Sequence, residues 1–142
     1  MKLVNIVLYF LIMLFSGAKC QTIDDYAYIW DHCIQQFPLS DDELSILFSD
    51  PYIPSKLNNN IKCFGKCTLE QRGWFIDDVL VEDVFVRFQT GSDLMSKQVD
   101  KVHEFVKECK HIVGANKCDT VHLIVNCLEN KIHNFVATLY ES

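Results

Sequence analysis

The chain has 142 residues, of which 13 are basic and 19 acidic, for a formal net charge of −6. That balance argues against nucleic acid or anionic lipid headgroups as partners, since both call for a basic surface. The length suits one domain, and with 49% hydrophobic residues the chain can bury a sizeable core.

Lys2 precedes an almost wholly apolar run from Leu3 to Phe15, and Ser16-Gly17-Ala18-Lys19-Cys20 closes it in small residues. This is the pattern of a secretory signal peptide, with cleavage expected between Cys20 and Gln21. A membrane anchor would need ~18–20 apolar residues, and this stretch has only about 13. The expected organisation is a signal peptide over residues 1–20 and a single domain over residues 21–142. Cleavage removes Lys2, Lys19 and the odd seventh cysteine, leaving six cysteines and a net charge near −8. Export exposes thiols to oxidation, so the six read as staples rather than as metal ligands or nucleophiles. No Asn-x-Ser/Thr sequon occurs.

Beyond the leader, apolar residues recur at helical spacing. Tyr26, Ile29, Trp30, Cys33 and Phe37 make one stripe of a helix over about Thr22 to Phe37, with Thr22 followed by Asp25 as its N-cap. Pro38 stops it. Ser40-Asp41-Asp42-Glu43 resembles a capping box and predicts a short helix carrying Leu44, Leu47 and Phe48. Pro51 and Pro54 force an extended turn, and Asn58-Asn59-Asn60 reads as a loop and helix start.

Between Asn60 and Ile76, Cys63 and Cys67 stand four apart, so two staples leave one helical face side by side. Asp77-Asp78 breaks the pattern before Val81 to Gln89, which holds Val84, Phe85 and Phe88, and Gly91-Ser92-Asp93 punctuates the end. The clearest helix is predicted over Ser92 to Ile112, with Leu94, Met95, Val99, Val102, Phe105, Val106 and Cys109 on one side and Gly114 as C-cap. A last helix from about Asp119 to Lys131 carries Val121, Ile124, Val125 and Leu128, followed by a tail with Phe135, Val136, Leu139 and Tyr140. No Val/Ile/Thr alternation argues for a sheet. The class is all-α with about six helices.

Cys33, Cys63, Cys67, Cys109, Cys118 and Cys127 are separated by 29, 3, 41, 8 and 8 residues. Six cysteines allow 15 pairings, and spacing alone does not choose among them. On one helix Cys118 and Cys127 would lie ~13 Å apart, beyond the ~7 Å that a disulfide spans.

Catalytic constellations are missing. His103-Glu104 and His122 are isolated on amphipathic helices, and neither Gly-x-Ser-x-Gly nor His-Glu-x-x-His occurs. His103 and His111 would be ~12 Å apart along a helix, and His122 and His133 ~16 Å, so neither pair chelates one ion. No enzyme activity, metal or cofactor is expected.

The Cys-x3-Cys and Cys-x8-Cys intervals, the stretch Ile61-Lys62-Cys63-Phe64-Gly65-Lys66-Cys67-Thr68-Leu69-Glu70 and the run Gly73-Trp74-Phe75-Ile76-Asp77 together resemble the insect odorant-binding proteins. The resemblance extends from about Asp24 to the C-terminus and is to the pheromone and general odorant-binding type, with one six-cysteine pattern and no extra cysteine. It implies the pairs Cys33–Cys67, Cys63–Cys118 and Cys109–Cys127, and helices that enclose an apolar cavity. Counted from the cysteines, pocket positions fall on Tyr26, Leu69, Val106 and Leu128. Phe88, Val102 and Phe105 join them by helical facing, and Phe135, Val136, Leu139 and Tyr140 are the expected wall or lid. Lys110 stands where some pheromone-binding relatives carry an acid, so their polar contact does not carry over. Three disulfides also offset the cost of a cavity, roughly 24 cal/mol per Å³ where neighbours cannot collapse.

The implied function is a secreted carrier that binds small hydrophobic odorants or pheromones and moves them through aqueous lymph to membrane receptors. Transient contact with olfactory receptors and a monomer or weak homodimer are the expected associations. His133, where the last predicted helix meets the tail, is the pH-switch candidate: charging it would loosen the tail and lower affinity. The alternatives are a non-olfactory lipophile carrier on the same fold and a secreted helical signalling or interaction protein without a pocket.

Overall fold

The computed structural model describes residues 22–51 and 53–141. The expected signal peptide and its cleavage point lie outside the described residues.

Helix α1 (Ile23–Gln36) begins in a capping box: Thr22 Oγ1 accepts from Asp25 N, and Asp25 Oδ2 accepts from Thr22 N at 2.8 Å. Helix α2 (Asp41–Leu47) repeats the device with Ser40 and Glu43. The Asp50–Pro51 peptide is cis, and Pro54 opens a short 3-10 turn, Pro54–Lys56. Asn58 then caps α3 (Asn59–Gln71) by accepting from Ile61 N at 3.0 Å. Its amide also donates to Glu43 Oε1 at 2.8 Å, so one carboxylate serves the starts of both α2 and α3.

After α3 the expectation of a chain without strands is corrected. Phe75–Ile76 (β1) and Val79–Leu80 (β2) form a small antiparallel hairpin, pairing Phe75 with Leu80 and Ile76 with Val79. The two residues that interrupt the helical pattern are its turn: Asp77 and Asp78 have φ of 49° and 65°. Aspartate tolerates this left-handed region better than most residues, and two such residues in a row match the twist of a tight hairpin.

Helix α4 (Glu82–Gln89) leads to α5 (Val99–Cys109), which is shorter than the predicted Ser92–Ile112. Serine chemistry explains the difference. Ser92 Oγ accepts from Met95 N, and Ser96 Oγ donates to Asp93 O at 2.9 Å, so local turns replace helix over this stretch. The turns still deliver Met95 into the core. Lys110, not Gly114, ends α5. Gly114 instead lets the following loop pass the first turn of α6, where a Cβ would stand 2.8 Å from Thr120 N and collide with Asp119 Oδ2.

Helix α6 runs without a break from Lys117 to Glu141, so the predicted tail is helical. No Gly or Pro interrupts it, and Ile132, Phe135, Val136 and Leu139 continue its apolar stripe onto the core. The three disulfides are those implied by the resemblance, with Cα separations of 5.7 Å for Cys33–Cys67, 4.8 Å for Cys63–Cys118 and 5.8 Å for Cys109–Cys127. They tie α3 to α1 and α6, and α5 to α6. The larger core centres on Phe75, Phe85, Val102, Val106, Val121 and Leu128; a smaller one holds Ile29 and Phe64 around Cys33–Cys67.

Candidate functional site

Eight of the residues expected to line a pocket come together. Val102, Val106 and Leu128 are wholly buried in the larger core, and Phe105 is nearly so. Leu69, Phe135, Val136 and Leu139 are half-buried and pack against the same cluster. Phe105 and Phe135 meet edge to face at 5.8 Å, which joins α5 to the outer half of α6. Three lie outside it. Tyr26 is 43% exposed beneath the Arg72 guanidinium, Phe88 is 55% exposed against Trp74, and Tyr140 is 78% exposed at the end of α6. His133 is exposed on α6.

A groove of about 250 Å³ opens between α2, α3 and α6. Its apolar wall is built by Leu47, Leu57, Ile61, Leu69 and Val125, and its polar side by Lys62, Lys66, Thr68, His122, Asn126 and Glu129. Gly65 forms part of the floor, where an added Cβ would meet nothing within 4 Å. Leu69 alone belongs both to this groove and to the pocket set expected from sequence. The signal that could have found the rest is the spacing of His122, Asn126 and Glu129, which places three polar side chains on one face of the helix beside its apolar stripe.

The charges around this groove are mostly consumed within the protein. Lys62 Nζ sits 2.7 Å from Asp119 Oδ1, while Lys66 is bound by both Glu70 and Asp78. The Lys62 contact, and then the backbone N–H of Ala115, hold the Asp119 carboxyl below its usual range. Burial, with the nearby Lys62 charge, pushes the His122 imidazole down, so it is neutral at neutral pH. The groove walls push the Glu129 carboxyl up by partial desolvation, although the residue is exposed.

A second, more open hollow of about 410 Å³ is lined by Asp83, Val86, Arg87 and His103. His103 Nδ1 lies 2.7 Å from Glu82 Oε1 beside it. With three charged or titratable residues among these four, it suits water better than a lipophile. Among the described residues no group of His, Cys, Asp and Glu is arranged to hold a metal. No helix among them is long and apolar enough to cross a membrane.

The family model described as the PBP/GOBP family matches residues 18–131, most of the chain. The chain belongs to the PBP/GOBP family. General odorant-binding protein 56a of Drosophila melanogaster is 28% identical over 100 residues, covering 70% of this chain and 68% of that protein. Among solved structures, the chain is similar to the fatty acid binding protein OBP56a from the oral disk of the blowfly Phormia regina, at 28% identity and a TM-score of 0.61, over 80% of this chain and 96% of that one. This is a family of small-ligand carriers and not of enzymes. Its members are secreted, and three disulfides fit an extracellular setting. The family match stops at residue 131, before the last turns of α6 that carry Phe135, Val136 and Leu139.

Proposed function

We propose that this PBP/GOBP-family chain is a secreted carrier of small hydrophobic ligands, delivered through aqueous lymph to membrane receptors. The observation that carries the reading is the groove between α2, α3 and α6, which reaches Leu69 and Val125 at the edge of the main core inside a frame clamped by three disulfides. A carrier needs such a combination, because a binding site forgoes packing that the crosslinks then offset. Residues 1–20 act as the signal peptide, and the mature domain works as a monomer or weak homodimer.

The ligand-binding set comprises the groove residues together with Leu69, Val102, Phe105, Val106, Leu128, Phe135, Val136 and Leu139, with Tyr26, Phe88 and Tyr140 at the surface. His133, exposed on α6, is the proposed switch position. Odorants and pheromones are the primary ligand class. The blowfly relative is described as a fatty acid binding protein from the oral disk. That favours, as a second reading, a carrier of fatty-acyl compounds in a feeding rather than an olfactory setting.

The test is saturable uptake of an environment-sensitive apolar dye by the oxidised protein, with displacement by long-chain alcohols, esters, aldehydes and aromatics. Micromolar uptake with structured competition supports a carrier. A folded protein that takes up neither dye nor ligand would leave only the interaction-protein reading.

A further inference from the structure

On the polar side of the groove between α2, α3 and α6, the residues supplied by α6 are left unused by the protein itself. His122, Asn126 and Glu129 stand at i, i+4 and i+7 of α6, share one face and line the groove. None of the three side chains makes a hydrogen bond to another of the described residues. The two lysines opposite are occupied, Lys62 by Asp119 and Lys66 by Glu70 and Asp78. Free hydrogen-bonding capacity therefore faces an apolar wall in which the neighbouring cations are already neutralised.

Each class of head group fares differently here. A hydroxyl donates to the Glu129 carboxylate and accepts from the Asn126 amide, satisfying both, and hydrogen bonds to an ionised acceptor are about twice as strong as neutral ones. An ionised carboxylate meets the like charge of Glu129, finds Lys62 and Lys66 already paired, and gets no help from a neutral His122. An amine is drawn to Glu129 as its counter-ion. At about 250 Å³ the groove falls just under the ~300–1,000 Å³ of ordinary ligand pockets, so it suits a compound of on the order of ten carbons, or the head end of a longer one.

We propose that this groove selects neutral, hydroxyl-bearing lipophiles over the corresponding carboxylates, and that Glu129 is the residue that sets the preference. The proposal rests on the carrier reading above and deepens it.

The test uses protein purified from the medium of insect cells expressing the full chain, with displacement of bound N-phenyl-1-naphthylamine by 1-decanol and by decanoate at pH 8. The expected result is displacement by decanol at a concentration at least tenfold lower than by decanoate. Glu129→Gln should reduce that ratio to threefold or less, chiefly by improving decanoate. Gly65→Leu should weaken both competitors at least fivefold with an unchanged circular dichroism spectrum, because its side chain enters open space in the groove. Glu141→Gln, at the far end of the same helix, should change nothing.

Equal displacement by the two compounds, or a ratio that Glu129→Gln leaves intact, overturns the proposal. If dye and ligands bind but neither Gly65→Leu nor Glu129→Gln affects them, the carrier reading stands and this groove is not its site. A protein that binds no dye at all takes both readings down together.

Discussion

Asp78 Oδ1 lies 2.8 Å from Lys66 Nζ, which ties the hairpin turn to the middle of α3. Its other oxygen receives Lys117 Nζ at 2.8 Å, from the first turn of α6. One turn residue thus joins three elements, and the Lys117 and Lys66 contacts hold its carboxyl below the usual range.

Two substitutions separate its charge from its backbone. Asp78→Asn keeps a residue that tolerates φ of 65° and loses only the ion pairs, which at this half-buried site contribute on the order of 1 kcal/mol. Asp78→Ala also loses the short polar side chain that eases the left-handed region, roughly 1 kcal/mol more. Urea unfolding should rank wild type, Asn and Ala in that order; an alanine variant no worse than asparagine would mean that the polar side chain does nothing to ease the turn.

Acid should weaken the fold in two separate steps. His122 is harder to protonate in the folded chain than in the unfolded one, so the unfolded state binds more protons and stability falls as pH drops below ~6.5. Asp119, held low by Lys62, contributes stability above its unfolded value of ~3.9 that is lost as pH falls through its folded value. Glu129, raised by burial, acts in the opposite sense over the interval above ~4.3, where the folded chain binds more protons. His122→Gln should therefore flatten the loss of Tm between pH 6.5 and 5.5 and leave the drop below pH 4 in place. An unchanged slope in the upper interval would remove His122 from this account.

The disulfides should differ in what they contribute. Cys63–Cys118 closes a loop of 55 residues and Cys109–Cys127 one of 18. In the chain-entropy account each contributes ~2–5 kcal/mol, with the longer loop worth about 1 kcal/mol more. Paired Cys→Ser variants of each, compared by guanidinium unfolding, should show that order. The reverse order would point to residual structure in the unfolded chain.

Along α6 the cost of truncation should follow burial. Leu128→Ala removes a wholly buried side chain and should cost ~2–5 kcal/mol. Phe135→Ala, which removes a half-buried ring against Phe105, should cost roughly 1–3 kcal/mol. Tyr140→Ala should stay within about 0.5 kcal/mol. A large effect at Tyr140 would reveal an association of this end of the helix that the single chain does not account for.

What could be read in advance was local. The boxes at Thr22 and Ser40 each need only a partner three residues on, so the helix starts were legible. The cysteine intervals, through the family they resemble, also carried the correct pairing. Periodicity failed where a side chain competed with its own backbone, as at Ser92 and Ser96. It failed again at Asp77-Asp78, because a two-residue strand is too short to show alternation. The helix expected to end at about Lys131 continues to Glu141, with the polar His133 and Asn134 exposed on it. The groove was the least legible feature. It depends on Lys62 meeting Asp119, 57 residues along the chain, and on α2 lying across the gap.

Helix α6 is a beam built in at one end. Both of its covalent anchors, Cys118 and Cys127, lie in its first half, and beyond them about 21 Å of helix, at ~1.5 Å per residue, has no disulfide to hold it. Bending about the last anchor moves Phe135, Val136 and Leu139 away from Phe105 without breaking a covalent bond, whereas the same displacement at Val121 would have to stretch the frame. This stretch of α6 is therefore where the main core can open without straining a crosslink, and local opening there is the route by which its interior would exchange with solvent.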